Sequence, residues 1–303
     1  MLLNARLGDD AAHRDDLGRA EGYLERAIAI HPTYAAAHFN HGLVQMLLGR
    51  HARAIRSLRR AIEILGWVAV SILVITGLVA IFDRAGFLIS ASSMEFTDPI
   101  ATFNPFDGRY VQFSLSSWAH LITGVIIFIL GPVQFMPSMR KKSISLHRWS
   151  GRIWLSAGGL AALSGGFIGI FQPFMGVDGQ GFNESMATAA FAFYTLFCMG
   201  KAYTTIRARN IRAHREWMIR SWALMLAIAT ERIMLGVLMS TTDIGVPVLF
   251  GTTFWMAGVV NIAASEIWIN LTRTPGNGHR HWKDLDSKSL YEKTFKENTE
   301  SLI

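Results

Sequence analysis

Six apolar stretches of about 20 residues each dominate this 303-residue sequence. An α-helix rises about 1.5 Å per residue, so one helix of that length crosses the roughly 30 Å hydrocarbon core of a bilayer. Few charged residues lie deep inside the stretches. The sequence therefore predicts an all-α fold, a polytopic membrane bundle of six transmembrane helices at approximately 63–82, 113–136, 152–171, 185–203, 217–240 and 249–271.

Composition supports a membrane protein and excludes some kinds of site. Charged residues make up 17% of the chain and hydrophobic residues 51%, whereas a soluble domain carries about 25% charged residues. The single cysteine, Cys198, excludes an intrachain disulfide and a cysteine metal cluster. The net charge of +7 is concentrated between the apolar stretches. We therefore expect membrane lipids as partners and no nucleic acid.

The placement of lysine and arginine predicts the orientation. Lysine and arginine are frequent in segments 137–152 and 201–220. Segment 83–112 has only Arg84 and Arg109, and neither residue type occurs in segments 173–184 and 241–250. By the positive-inside rule the two basic segments are cytoplasmic. Six spans then place both termini in the cytoplasm. The polar start of the chain predicts no cleavable signal peptide.

Residues 1–62 are a different kind of sequence. The run around Ala27 is echoed around Ala61, and this spacing of 34 residues is the tetratricopeptide period. The segment resembles about one and a half such repeats, although three or more are usually needed to bury a core. Residues 18–62 either dock a protein partner or form a helical hairpin that only packs on the membrane domain.

This pattern divides the chain into three parts. They are a cytoplasmic tetratricopeptide-like helical segment at 1–62, a six-helix transmembrane domain at 63–272 and a polar cytoplasmic tail at 273–303.

Three histidines lie in or beside the predicted spans. His120 lies about a third of the way into the second span from its outer end, while His147 and His214 precede the third and fifth spans at the same cytoplasmic depth. At 100° per residue, each shares a helical face with small or polar residues, a pattern that lets a neighbouring helix approach closely. We therefore predict that these histidines and Arg232 point into the bundle.

Two interpretations of the inner histidines stay open. His147 and His214 on facing helices can hold a metal or the iron of a b-type haem, and His120 is a further candidate ligand. Arginines beside the inner pair would then neutralise haem propionates. Alternatively, these histidines and arginines bind lipid headgroups. The arginines concerned are Arg148, Arg152 and Arg215.

A second polar site is predicted nearer the outer side. Ionisable groups at membrane depth are costly, so Glu231 and Arg232 are expected to be paired inside the bundle. They lie at about the depth of His120, and Gln134 shares the His120 face of the second span. These four residues form a predicted intramembrane polar site.

The region from about residue 64 to residue 272 resembles the bacterial predicted membrane proteins grouped as domain of unknown function 2306 (DUF2306). Three motifs carry the resemblance: a histidine followed by Gly131-Pro132-Val133-Gln134-Phe135, then His147-Arg148-Trp149-Ser150-Gly151-Arg152, then His214 with Trp217-Met218 and Arg220-Ser221. The resemblance implies a multi-span helical protein of the bacterial inner membrane with a shared polar core. It implies no activity.

Three functional hypotheses follow. The first is a haem- or metal-binding membrane redox protein, and this is the leading one. The second is a small-molecule or ion transporter that uses the intramembrane His, Glu and Arg site. The third is a membrane anchor that recruits a partner through its tetratricopeptide-like segment. No phosphate loop, nucleophile elbow, HExxH sequence or dinucleotide fingerprint supports a soluble enzyme.

Overall fold

The structure is a computed structural model that describes residues 16–103, 105–174 and 180–273. The predicted all-α class is confirmed, because every regular element in these ranges is a helix. The chain divides into two compact units, Met1–Ile75 and Thr76–Ile303, and the division falls within one long helix. The predicted tail at 273–303 lies outside the described ranges except for Arg273.

From residue 16 onward, the first unit contains two helices and the beginning of a third: α1 (Leu17–Ile30), α2 (Ala35–Leu47) and α3 (His51–Ala91). Leu24 of α1 and Val44 of α2 are buried in one small core. Helix α2 ends at Leu47, and two residues later the positive φ of 71° at Gly49 allows the Arg50 amide to donate to the carbonyl oxygen of Gln45. The predicted helices are therefore present between residues 17 and 62.

The second unit holds the rest of α3 and nine further helices among the described residues. Three of them are short: α4 (Pro99–Thr102), α5 (Pro105–Gln112) and α7 (Pro137–Lys142). The others are α6 (Ser114–Phe135), α8 (Ile144–Phe171), α9 (Gln180–Arg207), α10 (Ile211–Met225), α11 (Ala227–Thr241) and α12 (Val246–Thr272). Helix α11 continues from α10 after Leu226.

Five helices in the described part of the chain are long and apolar enough to span a membrane, where the sequence predicts six. They are α3, α6, α8, the combined Ile211–Thr241 of α10 and α11, and α12. The exception is α9, which covers the predicted fourth span at 185–203. It has 28 residues, but polar residues such as Asn183, Glu184 and Lys201 make it less apolar. The chain is thus a multi-pass membrane protein with five candidate spans.

Helix α9 nevertheless packs along α8 in a regular antiparallel register. Near one end, the Ser185 hydroxyl donates to the carbonyl oxygen of Ile170, 3.2 Å away. One turn further, a Cβ added at Gly169 would lie 2.7 Å from Thr188. Deeper in the bundle, a Cβ at Gly158 would lie 3.0 Å from Met199 Cε. Helix α9 therefore follows α8 over most of its length.

Small residues bring α6 and α8 together. The Trp154 indole donates to the carbonyl oxygen of Ile127, and a Cβ added at Gly165 would lie 2.6 Å from His120 Cε1. Helical periodicity placed small and polar residues on one face of the second span and one face of the third. These are the faces through which α6 and α8 contact each other. This close approach places His120 against the backbone of α8.

Candidate functional site

A cavity of about 410 Å³ lies within the second unit. Its walls come from α3, α5, α6, α8, α9, α10, α11 and α12, and they are mostly apolar side chains and glycines. Six ionisable side chains other than tyrosine interrupt this lining: Asp83, Arg84, His120, Glu184, Glu231 and Arg232. The cavity is therefore an apolar chamber with a charged portion.

His120 is held in one tautomer by the backbone of α8. Its Nδ1 lies 3.0 Å from the carbonyl oxygen of Ala161, and a carbonyl oxygen only accepts hydrogen bonds. Nδ1 therefore carries the proton, which leaves Nε2 of the neutral ring as an acceptor. In the part of the chain that the structure describes, Nε2 has no hydrogen-bond partner. His120 thus offers one acceptor in a cavity wall.

Glu231 is 1% exposed, and its two carboxyl oxygens have different surroundings. Oε1 accepts a hydrogen bond of 3.2 Å from the Thr253 hydroxyl. Oε2 is buried and has no hydrogen-bond partner among the described residues. Arg232 Nε lies 3.6 Å from Oε2, so the two side chains form the predicted ion pair, at a distance beyond ordinary hydrogen-bond length. Glu231 therefore presents an unsatisfied oxygen beside the cavity.

A second buried carboxyl lies in the same wall. Glu184, 1% exposed, accepts a hydrogen bond of 3.0 Å from the backbone amide of Phe174. This contact ties the start of α9 to the segment that follows α8. Sequence reasoning missed Glu184, because it lies at the boundary between an outer loop and a span. Its position directly before an apolar run was the signal available.

Four aromatic rings form a continuous wall of the cavity. The rings of Tyr110 and Phe174 are stacked with centroids 4.8 Å apart, Phe174 meets Phe250 edge-on at 6.0 Å, and Phe250 meets Phe254 at 5.2 Å. Two guanidinium groups lie against this wall. That of Arg84 is 4.4 Å from the Tyr110 ring centroid, and that of Arg232 is 5.8 Å from that of Phe250.

The Tyr110 hydroxyl lies close enough to four charged groups of the cavity for them to affect its pKa. Burial raises the pKa of Tyr110, Glu231 and Glu184 add to that increase, and the guanidinium groups of Arg232 and Arg84 act against it. Tyr110 lies in α5, outside the candidate spans. Arg84 also forms an ion pair with Asp107 of the same short helix. Helix α5 therefore closes one end of the cavity with charged and aromatic groups.

The inner histidines lie elsewhere, and neither lines this cavity. His214 Nδ1 lies 2.8 Å from the carbonyl oxygen of Ala202 and therefore donates to it, which leaves Nε2 as an acceptor. His147 is near enough to His214 for their charges to interact, and its Nδ1 is buried without a hydrogen-bond partner in the described ranges. Both inner histidines therefore lie outside the cavity, near the starts of α8 and α10.

The three arginines predicted beside the inner histidines do not converge on one point. Arg148 is exposed, the Arg152 guanidinium lies 4.9 Å from the Trp149 ring centroid, and Arg215 donates to the Thr272 hydroxyl at 2.6 Å. Gln134 is also separate from the cavity, since its amide donates to the Ser150 hydroxyl at 2.6 Å. Of the predicted polar site, the cavity thus unites His120, Glu231 and Arg232.

A further group of potential ligands lies in the first unit. One ligand atom each of Glu21, Glu25 and His41 falls within 4.8 Å of the others. Arg50 already donates to both oxygens of Glu21 at 2.6 Å, and His41 Nδ1 lies 2.8 Å from the Ser57 hydroxyl. These contacts link α1, α2 and α3, so the group serves as a polar network of the hairpin.

Comparison with known proteins gives one family. Residues 117–269, half of the chain, match the family described as predicted membrane protein (DUF2306). No curated protein and no solved structure matches the chain. The match does not include residues 1–62, so the tetratricopeptide resemblance has no support from it and stays a prediction. It also gives no evidence for haem or metal binding.

Proposed function

We propose that this chain, which belongs to the DUF2306 family of predicted membrane proteins, is a carrier for a small organic molecule. The observation that carries the proposal is the cavity of about 410 Å³ that unites His120, Glu231 and Arg232 within the bundle. Pockets that bind small molecules are typically about 300–1,000 Å³, largely apolar, with a few convergent polar groups. The cavity has each of these properties.

The polar groups of the cavity suit a ligand that donates hydrogen bonds or carries positive charge. His120 Nε2 and Glu231 Oε2 are both acceptors without a partner among the described residues. A buried acceptor that stays unpaired costs about 1–3 kcal/mol, so a donor on the ligand relieves this cost. Intramembrane ionisable groups also mark substrate and ion pathways in membrane proteins.

Six membrane crossings, with both termini in the cytoplasm of a bacterial cell, are part of the proposal. Support comes from the register of α9, which follows α8 from Ser185 to Met199 and so covers much of the same depth as a candidate span. A crossing by α9 also places both basic segments, 137–152 and 201–220, on one side. Five crossings would put these segments on opposite sides.

The cavity is closest to the segments that are poor in lysine and arginine. Arg84, Tyr110, Phe174 and Phe250, which line it, all lie in or next to these segments. By the positive-inside rule this end faces outward. The carrier therefore has its charged and aromatic end, which α5 closes, on the outer side.

Ligand binding is tested by melting the purified protein against a collection of small organic molecules. A molecule that binds the folded state raises Tm. We compare Ala162→Phe, which fills part of the cavity, with Leu163→Phe, whose position on the same helix is 62% exposed and does not line it. Cavity ligands stabilise the wild type and Leu163→Phe but not Ala162→Phe.

Transport is tested with the same ligands in proteoliposomes. The wild type and Leu163→Phe accelerate saturable uptake, and Ala162→Phe does not. Ligands that stabilise all three proteins equally contradict the cavity as the binding site. Saturable binding without any flux contradicts the carrier and leaves a membrane receptor.

A redox protein that holds haem or a metal between His147 and His214 is the second candidate. The observation in its favour is the Nδ1 donation of His214 to a backbone carbonyl, the orientation typical of a ligating histidine. The wild type and the His147→Ala and His214→Ala variants are purified and their spectra and metal contents recorded. A Soret band that both variants lose supports this candidate, and a colourless, metal-free, folded wild type ends it.

A further inference from the structure

We infer that the ligand of the cavity is an organic ammonium ion with apolar substituents, and that Glu231 gives up a proton when this cation binds. The inference rests on the proposed function, because it names the substrate class of the same cavity. Three independent features of the site carry it: its charge balance, the surroundings of Glu231 and the aromatic wall.

Negative charge predominates around the cavity. Asp83, Glu184 and Glu231 line it together with Arg84 and Arg232, and Arg84 is paired with a fourth carboxylate, Asp107. Three carboxyl groups thus line the cavity with two guanidinium groups. When these five groups are ionised and His120 is neutral, an excess of one negative charge remains, and Asp107 offsets the charge of Arg84, so the cavity attracts a cation.

Glu231 is the carboxyl group with which a bound cation can pair. It is 1% exposed, Thr253 satisfies one oxygen, and the other oxygen has no hydrogen-bond partner among the described residues. Arg232 forms an ion pair with this oxygen at 3.6 Å but donates no hydrogen bond to it, so the cost of burying the ionised carboxylate is only partly offset. In the proposed exchange Glu231 holds a proton in the empty cavity, and a bound cation replaces that proton as the balancing charge.

The other charged groups around Glu231 do not replace it as the group that balances the charge of the bound cation. Arg232 on the same helix approaches only to 3.6 Å, and α12 contributes Thr253 and Phe250, which do not ionise. The remaining walls contribute Asp83 and Arg84 of α3, Tyr110 of α5, His120 of α6 and Glu184 of α9, while α8 and α10 line the cavity with residues that do not ionise. His120 Nδ1 donates to the Ala161 carbonyl oxygen, and Glu184 accepts from a backbone amide.

The aromatic wall favours an ammonium group over a bare metal ion. Tyr110, Phe174, Phe250 and Phe254 line the cavity beside the carboxyl groups. Aromatic rings attract cations through their negative faces, and quaternary ammonium ions are bound in aromatic cages of this kind. Arg84 and Arg232 already lie against two of these rings, so the wall accommodates cations. Its apolar surface also suits the hydrocarbon part of the ligand.

The exchange conserves charge and atoms. The O–H bond of the protonated Glu231 breaks, the proton leaves to solvent, and the carboxylate then balances the ammonium ion without forming a covalent bond. One cation enters for one proton released. Affinity for the cation therefore rises with pH, by tenfold per unit as long as Glu231 is protonated in the empty cavity.

Three probes of similar size test the substrate class. Benzyltrimethylammonium is a permanent cation, neopentylbenzene is its neutral isostere, and phenylmethanesulfonate is an anion of comparable shape. The purified protein in detergent is titrated with labelled benzyltrimethylammonium, and the other two serve as competitors. We expect saturable binding of the cation and at least tenfold weaker competition by the others. Preference for the anion or the neutral isostere overturns the inference but leaves a small-molecule carrier.

Proton release is measured by calorimetry in two buffers of different ionisation enthalpy. Because benzyltrimethylammonium carries no exchangeable proton, any proton released comes from the protein. The wild type releases about one proton per bound cation. Glu231→Gln releases none and binds at least tenfold more weakly. Glu216→Gln, which alters a carboxylate that lies outside the cavity and is paired with Arg273, behaves like the wild type.

A folding control keeps the test decisive. Glu231→Asp retains the acid, so it still releases a proton but binds more weakly; this variant and the wild-type pH dependence carry the test if Glu231→Gln does not fold. Cation binding without proton release, equal in the wild type and Glu231→Gln, overturns the role of Glu231 while the carrier stands. Failure of the folded wild type to bind the cation overturns the inference, and the ligand screen then judges the carrier separately.

Discussion

At the scale of single residues, the cavity depends on one imidazole that is fixed by backbone atoms. The Ala161 carbonyl oxygen accepts the Nδ1 proton of His120, so the ring cannot turn without losing that hydrogen bond. Gly165 provides the space for the ring, since a Cβ there would lie 2.6 Å from Cε1. The lack of a side chain at Gly165 thus allows His120 to pack against the backbone of α8.

Gly165→Ala should displace His120 and impair the cavity. The new methyl group overlaps the imidazole, and such overpacking typically costs about 1–3 kcal/mol. We expect a lower Tm and weaker binding of any cavity ligand, measured by thermal melting with and without that ligand.

Gly159→Ala on the same helix is the matched control, because among the described residues no atom outside its own stretch of helix lies within 4 Å of the added Cβ. It should leave Tm and binding near the wild-type values. If Gly165→Ala and Gly159→Ala bind ligand equally well, His120 and its glycine do not shape the binding site.

Much of this site was predictable from helical periodicity. His120 and Arg232 shared faces with small or polar residues, and a costly intramembrane Glu231 had to lie inside the bundle. Glu184 and Tyr110 were not predictable in the same way, because they belong to segments outside the regular apolar pattern. Their positions depend on tertiary contacts, such as the Phe174 amide and the stacked Phe174 ring.

At the scale of helices, charged pairs join α10 to α12 at the end away from the cavity. Arg220 donates two hydrogen bonds to Glu266, at 2.5 and 3.0 Å, and Arg273 donates two to Glu216, at 2.8 and 3.0 Å. Arg220 also lies 4.6 Å from the Trp217 ring centroid. Paired guanidinium and carboxylate groups of this kind fix the register of two helices.

A double-mutant cycle on Arg220→Ala and Glu266→Ala should reveal this coupling. Charge-assisted hydrogen bonds contribute about 1.5–3 kcal/mol, and partial exposure of Glu266 reduces the value, so we expect about 1 kcal/mol of coupling free energy. Thermal or denaturant unfolding of the four proteins measures it. The comparison cycle is Arg59 with Glu63, a pair four residues apart on α3, for which about 0.3–0.5 kcal/mol is typical. Equal coupling in both cycles would contradict a clamp between α10 and α12.

The hairpin of the first unit should lose stability in mild acid. Burial lowers the pKa of His41 below its ordinary value, and the nearby carboxylates of Glu25 and Glu21 only partly oppose this. The unfolded segment therefore binds a proton more readily than the folded one, so stability present above about pH 6.5 decreases as pH falls below that value. Hydrogen exchange of peptides within residues 17–48 should show less protection at pH 5.5 than at pH 7.5, after correction for intrinsic exchange rates.

His41→Gln is the control for this effect, since glutamine does not titrate in this range. Its protection should change little between the two pH values. Glu21, whose burial is outweighed by hydrogen bonds from Arg50 and Gln45, has a lowered pKa and loses its contribution only at more acidic pH. An equal loss of protection in the wild type and the variant would exclude His41 as the cause.

At the scale of the whole molecule, the number of membrane crossings decides what the cavity can do. The apolar pattern predicted six spans, while the length and apolarity of the described helices support five, because α9 carries polar residues. Several of these residues have specific contacts. Asn183 accepts from the Trp255 indole at 3.0 Å, and Glu184 accepts from the Phe174 amide. A hydropathy average counts these residues only as polar, although their side chains are hydrogen-bonded within the protein. Helix α9 therefore falls outside the five candidate spans, while the apolar pattern of the sequence includes it as a sixth.

Cysteine labelling decides whether α9 crosses. Phe182, 65% exposed near its beginning, and Arg209, just beyond its end, are replaced by cysteine one at a time in a Cys198→Ala background. If α9 crosses as proposed, an impermeant maleimide applied to intact cells labels Phe182→Cys, whereas Arg209→Cys reacts only after permeabilisation. Ser143→Cys, in the other basic segment, should behave like Arg209→Cys, since the positive-inside rule puts both segments in the cytoplasm. Labelling of Phe182→Cys and Arg209→Cys from the same side would leave α9 without a crossing, and the cavity that it helps to form would then not lie at membrane depth between two compartments.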